Sequence, residues 1–144
     1  MSLLSPQDRQ AVQDRFAPIA HDVSFLFFTQ SIGAPETALV TREILDEVVG
    51  LNDRLRLEEI NFVLDRERVA QYAIEQVPAI ALTRDGVDTR LRFLGAPLGY
   101  EFMSLVDATV LAGSDDSGLS QESRDLVAAH VTAPLEIKVF ATPT

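Results

Sequence analysis

The stretch Val77-Pro78-Ala79-Ile80-Ala81-Leu82-Thr83-Arg84-Asp85-Gly86-Val87-Asp88-Thr89-Arg90-Leu91-Arg92-Phe93 decides how this chain folds. Asp-Gly between two apolar runs is a strong hairpin signal, because the tightest two-residue turn needs positive φ at both central positions. Strands Ala79–Thr83 and Arg90–Phe93 are therefore expected to pair antiparallel. Pro78 opens the first strand, where a missing N–H costs no ladder hydrogen bond. Only about 5–6% of bonds preceding proline are cis, but the order of the surrounding elements favours a cis Val77–Pro78 bond.

Upstream, Ser5-Pro6-Gln7-Asp8 opens a helix, with Ser5 as N-cap and Pro6 at the first helical position; Val12, Phe16 and Ile19 form its apolar stripe. Val23-Ser24-Phe25-Leu26-Phe27-Phe28 is nearly continuous apolar sequence, the mark of a central strand covered on both faces. Residues 36–49 carry Val40, Ile44, Leu45 and Val48 at helical spacing and stop at Gly50. Arg54-Leu55-Arg56-Leu57 alternates as a strand, but the apolar phase slips at Glu58-Glu59 before Ile60 and Phe62, which predicts a bulge there. Asp65 caps a short helix with Val69, Tyr72 and Ala73 inward, and Gly99–Leu111 repeats helical spacing at Phe102, Leu105, Val106 and Val110. The order α-βαβ-α-ββ-α implies an α/β fold. Crossover helices give parallel strands and the tight turn gives antiparallel ones, hence a mixed sheet with helices on both faces.

Composition narrows the function. The chain has 144 residues, 47% of them hydrophobic, enough for a real core. A net charge of −10 repels phosphate backbones and anionic headgroups, so neither nucleic acid nor a membrane surface is an expected partner. The first residues lack the basic and apolar regions of a signal peptide, and no apolar run approaches the roughly 20 residues of a spanning helix. A cytoplasmic protein is the expectation. With no cysteine, the chain by itself has no disulfide, thiolate metal site or thiol redox chemistry.

The element order is that of a thioredoxin-like fold, and several motifs extend the likeness. These are Phe27-Phe28-Thr29, Asp65-Arg66-Glu67, Tyr72 to Ala79, Gly118-Leu119-Ser120 and Val139 to Thr144. The most specific is Phe93-Leu94-Gly95-Ala96-Pro97-Leu98-Gly99-Tyr100-Glu101-Phe102. On these residues the chain resembles the N-terminal unit of the glutaredoxin-like protein disulfide oxidoreductases, a tandem thioredoxin-fold family. It is similar, more distantly, to the N-terminal domain of the alkyl hydroperoxide reductase flavoprotein subunit. The resemblance implies a Cys-x-x-Cys at the start of the first crossover helix of any redox-active unit. Counting back from Thr41, Ile44 and Leu45 puts those positions at Pro35 and Ala38. Thiol exchange needs a thiolate at a helix N-terminus and a resolving thiol one turn on, and neither residue supplies one. The hydroxyls of Thr29, Ser31 and Thr37 would need a base, and neither His21 nor His130 is placed to serve. No catalytic residue, cofactor site or metal site is expected. The groove implied beside Thr29, Pro35, Val77 and Pro78 is the candidate partner site, for an extended protein or peptide segment.

The tail echoes the beginning. Ser120-Gln121-Glu122-Ser123-Arg124-Asp125-Leu126-Val127, then Leu135 to Thr142, follows the pattern of Ser5 to Val12, then Val23 to Thr29. The expected organisation is a thioredoxin-like unit at 1–112, a linker at 113–119, and the first helix and strand of a second unit at 120–144. In the resembled family this ending leads into the active dithiol, so Thr144 would immediately precede the expected first cysteine. A deliberate boundary, a naturally short protein and a UGA codon read as selenocysteine are three open explanations. Two functions follow: a redox-inactive unit of a thiol–disulfide oxidoreductase with a structural or docking role, or a stand-alone binding module that dimerises through Leu135–Ala141.

Overall fold

The computed structural model describes residues 3–141. Its elements run α1 (Pro6–Arg15), β1 (Val23–Thr29), α2 (Glu36–Val49), β2 (Leu55–Asn61), α3 (Arg66–Gln71), β3 (Ala79–Arg84), β4 (Val87–Leu94), α4 (Tyr100–Gly113) and α5 (Gln121–His130). The sheet order is β2-β1-β3-β4, with β1 parallel to β2, antiparallel to β3, and β3 antiparallel to β4. The mixed sheet expected from the sequence is therefore present.

Strand β1 is the middle of the molecule because every second side chain meets a different layer. Val23, Phe25 and Phe27 face a core shared with α1, α2 and α4 through Val12, Phe16, Leu45, Val48, Leu105 and Val106. Leu26 and Phe28 face a smaller core with Ile60, Tyr72 and Ile74, where the rings of Phe28 and Tyr72 lie 5.9 Å apart. Burying each large apolar side chain contributes about 1.5–3 kcal/mol, which is why this uninterrupted run organises both layers.

The phase slip in β2 has a different cause from the expected bulge. Its pairing with β1 is regular from Val23↔Leu55 to Thr29↔Asn61. Leu55 and Leu57 pack into the α2-side core, whereas Ile60 and Phe62 pack into the α3-side core. Between them Glu59 turns to Arg42 of α2 at 2.7 Å, and Glu58 turns to Arg68 of α3. The apolar phase changes because the covering layer changes, with the backbone undisturbed. The irregularity lies instead between β3 and β4, opposite Leu82, where Arg90 has φ +67°.

Asp85 (φ +48°) and Gly86 (φ +81°) form the turn of the β3–β4 hairpin. Ser5 caps α1, accepting from the Asp8 N–H at 3.1 Å, and Ser120 caps α5 in the same way from Ser123 at 3.1 Å. The helical half of the internal echo is thus repeated down to its cap. Ala73, expected inward, is exposed in a left-handed conformation after α3, and Ile74 takes the buried position.

Two boundaries differ from the sequence reading. Gly113 is the last residue of α4 and is buried; a Cβ there would meet Ile19 Cγ2 at 2.8 Å and Val23 Cγ2 at 3.1 Å. Its carbonyl accepts from the N–H groups of Ala20 and His21 at 2.8 and 3.1 Å, so Gly113, expected as the first linker residue, belongs to α4 and its packing. Leu135–Ala141, expected as a strand, is irregular and exposed. A strand forms only where its N–H and C=O groups meet a paired edge, and among the described residues α5 contributes no buried side chain on which this segment could dock. Thr142, Pro143 and Thr144, which complete the expected motif, lie outside the described residues.

Candidate functional site

The candidate site sits at the end of the sheet where β1 and β2 finish and β3 begins. Phe28 pairs with Ala79, so Thr29 and Pro78 come to the same end of adjacent antiparallel strands. Thr29 also pairs with Asn61, and its carbonyl accepts from the Phe62 N–H at 2.8 Å. The carbonyl of Pro78 accepts from the Gly95 N–H at 2.8 Å, which brings the exit of β4 to that end. The Val77–Pro78 bond is cis, Pro78 is buried, and Val77 packs against the α3-side core.

The β1–α2 loop delivers Pro35 and Ala38. Gln30 Nε2 donates to the Gly33 carbonyl at 3.2 Å across the loop. Pro35 is the N-cap of α2 with extended backbone (φ −64°, ψ 150°) and is exposed, whereas Ala38 is only 4% exposed and its N–H bonds the Pro35 carbonyl at 2.9 Å. The two residues thus occupy the outer and inner positions of the first turn. A thiolate at such a position would gain from the positive end of the helix. Here that end carries Glu36 in its first turn.

Among the described residues, neither histidine is placed as a base for the nearby hydroxyls. Thr41 Oγ1 donates to the Thr37 carbonyl at 2.7 Å, a helix-internal bond. His21 stands before the start of β1, at the opposite end of a seven-residue strand, which is about 20 Å from Thr29. His130 is the last residue of α5. Among the described residues, no group of three or more His, Cys, Asp or Glu could hold a metal ion.

Sequence reasoning missed an apolar rim. Ile32, Val63 and Leu64 are exposed and, with Gln30, Ser31 and Asn61, line a shallow cleft of about 210 Å³ at this end of the sheet. Phe62-Val63-Leu64, an apolar run in a turn where no periodicity explains it, was the available signal. At the other edge of the sheet, Arg92 of β4 joins the residue that ends α3: Nε donates to the Tyr72 carbonyl at 3.2 Å and the guanidinium lies 5.4 Å from the Tyr72 ring centroid. It also makes a two-pronged contact with Asp88, at 2.8 and 2.7 Å. That hydrogen bonding from Arg92 holds the Asp88 carboxyl below its ordinary range, against the opposing effect of partial burial.

This arrangement has relatives. The AhpF protein of alkyl hydroperoxide reductase from Staphylococcus aureus (strain Mu50) is 32% identical over 79 residues, 55% of this chain and 13% of that protein. The NTD_N/C domain of alkylhydroperoxide reductase AhpF from Enterococcus faecalis superposes with a TM-score of 0.79 at 28% identity, covering 88% of this chain and 60% of that one. The chain is similar to the N-terminal domain of AhpF in both sequence and fold. A protein disulfide oxidoreductase from Aeropyrum pernix shares the fold, with a TM-score of 0.72 at 21% identity over 85% of this chain and 53% of that one. A thioredoxin from Halobacterium salinarum superposes with a TM-score of 0.52 at 15% identity over 76% of this chain and 87% of that one, so the fold is thioredoxin-like, as the element order implied. No family model matches the chain. The chain spans about an eighth of the length of the AhpF proteins it matches. No helix among the described residues is long and apolar enough to cross a membrane.

Proposed function

We propose that this chain is a redox-inactive thioredoxin-fold unit of a thiol–disulfide oxidoreductase. It docks an extended segment of a protein partner at the sheet end around Thr29, Val77 and Pro78, while a separate unit supplies the reacting dithiol. The observation that carries this reading is the first turn of α2, where Pro35 and Ala38 fill the outer and inner positions that a thiol pair would use. The apolar rim of Ile32, Val63 and Leu64 suits side chains of an extended peptide, and main-chain contacts beside Pro78 would supply affinity. A second unit beginning near Ser120 agrees with the repeated serine cap. A cytoplasmic setting, where exchange partners are kept reduced, goes with this reading.

In an insulin-reduction assay the chain alone should give background turbidity, and activity would overturn the proposal. Carboxymethylated insulin B chain, an extended probe without free thiols, should shift the amide resonances of Thr29, Ile32, Val77 and Gly95. Shifts scattered over the surface, or confined to the His21 end, would contradict docking here.

A stand-alone dimerisation module is the second reading, favoured by the alternating exposed residues Leu135, Ile137 and Val139. Under it the tail pairs with an edge strand, β2 or β4, of a second copy. Light scattering after size exclusion should then give a dimer at micromolar concentration, which a clean monomer would contradict.

A further inference from the structure

The end of the sheet opposite the candidate groove carries a charged cluster that none of the preceding chemistry uses. His21 Nδ1 lies 2.8 Å from Asp85 Oδ2, and its Nε2 lies 3.0 Å from Asp115 Oδ1. A neutral imidazole has one N–H and can donate to one carboxylate; both contacts are hydrogen bonds only when the ring is doubly protonated. The two carboxylates belong to different parts of the molecule. Asp85 is fixed in the hairpin turn: its N–H donates to the Asp22 carbonyl at 2.8 Å, and its Oδ1 accepts from the Asp22 N–H at 3.0 Å. Asp115 lies in the segment between α4 and α5.

From Asp115 the contacts continue into α5. Its neighbour Asp116 accepts from the Gly118 N–H at 2.9 Å and from Arg124 at 2.6 Å, and Arg124 Nε donates to the Leu119 carbonyl at 2.9 Å. The linker and the first turn of α5 therefore form one hydrogen-bonded piece, whose attachment to the sheet passes through Asp115 and Ser114. We propose that protonated His21 is a latch that holds this linker, and α5 with it, in a fixed direction relative to the sheet, and that loss of the second ring proton releases it. This inference does not rest on the proposed docking role.

The charged groups facing the ring set the sign. Asp85 and Asp115 face the ring from the hairpin and the linker; Arg84, at the end of β3, contacts Asp115 and donates to the Ser114 carbonyl at 3.0 Å. Asp22 is engaged by Arg54 at 3.3 Å. Both facing carboxyls sit below their ordinary range, Asp85 first through the His21 hydrogen bond and Asp115 first through Arg84 and then His21. They therefore stay ionised as pH falls until well into the acid range, and their contribution is lost only there. With the ring singly protonated, one nitrogen lone pair faces a carboxylate, and Asp115 is left to an exposed pairing with Arg84, which holds weakly against solvent. The latch is closed with the ring doubly protonated and open with it singly protonated.

The test is 15N relaxation of the full chain between about pH 5 and pH 8, the interval in which imidazole changes charge. Amides of Asp115 to Ser120 should show order parameters of about 0.85 at the acid end and fall below about 0.6 at the alkaline end. His21→Gln should leave these amides mobile at both ends, Asp115→Asn should shrink the transition, and His130→Gln should preserve it. All three sites are exposed or half-buried, so the variants keep the fold, which the β1 and β3 amide shifts report independently. Linker order that is flat across this range in the native sequence, or a transition that survives His21→Gln, would overturn the proposal.

Discussion

Replacing Phe27 with alanine should remove about 3–5 kcal/mol of folding free energy, the cost of deleting a buried aromatic and leaving a cavity. Phe27 is 1% exposed, in the central strand, and joins the core that α1, α2 and α4 share. Domains of this size are stable by only about 5–15 kcal/mol, so the loss is a large share of the total. Phe140→Ala is the matched control. Phe140 is 90% exposed in the irregular tail, and its removal should change stability by less than about 0.5 kcal/mol. Urea unfolding of both variants, with an unchanged slope and a shifted midpoint for Phe27→Ala alone, is the expected result. A comparable loss from Phe140→Ala would mean that the tail is packed against the sheet after all.

That pair of phenylalanines also marks where sequence stopped being enough. The run from Val23 to Phe28 is apolar at every position but one, and its strand and the following helix were legible because continuous burial and a Gly50 stop leave no competing period. The tail from Leu135 to Val139 alternates like a strand, yet alternation states only that one side wants to be covered; the cover has to come from somewhere else in space. Glu58-Glu59 misled for a related reason. A slip of phase reads as a bulge if one layer is assumed to cover the whole strand, and β2 passes from one core to the other. That Pro35 and Ala38 open α2 was legible from the helical spacing of Val40, Ile44 and Leu45. The rim of Ile32, Val63 and Leu64 was not, since loop residues have no period and their convergence depends on how β1 and β2 end together.

The largest gain of function should come from Pro35→Cys/Ala38→Cys. Extended backbone at residue 35 is open to cysteine, residue 38 lies one helical turn inward, and the pair sits where the helix N-terminus favours a thiolate. Positions three apart in the first turn of a helix bring Cα atoms within the roughly 4.4–6.8 Å that a disulfide spans. If the first turn of α2 has the geometry of a dithiol site and lacks only the thiols, thiol titration of the double variant in a glutathione redox buffer will show it. A reversible intrachain disulfide is expected, with a potential in the range of about −270 to −120 mV found for thioredoxin-fold dithiols, and with insulin reduction above the background of the native chain. Two thiols that stay free in oxidising buffer, or that pair only between molecules while the variant remains folded, would contradict it.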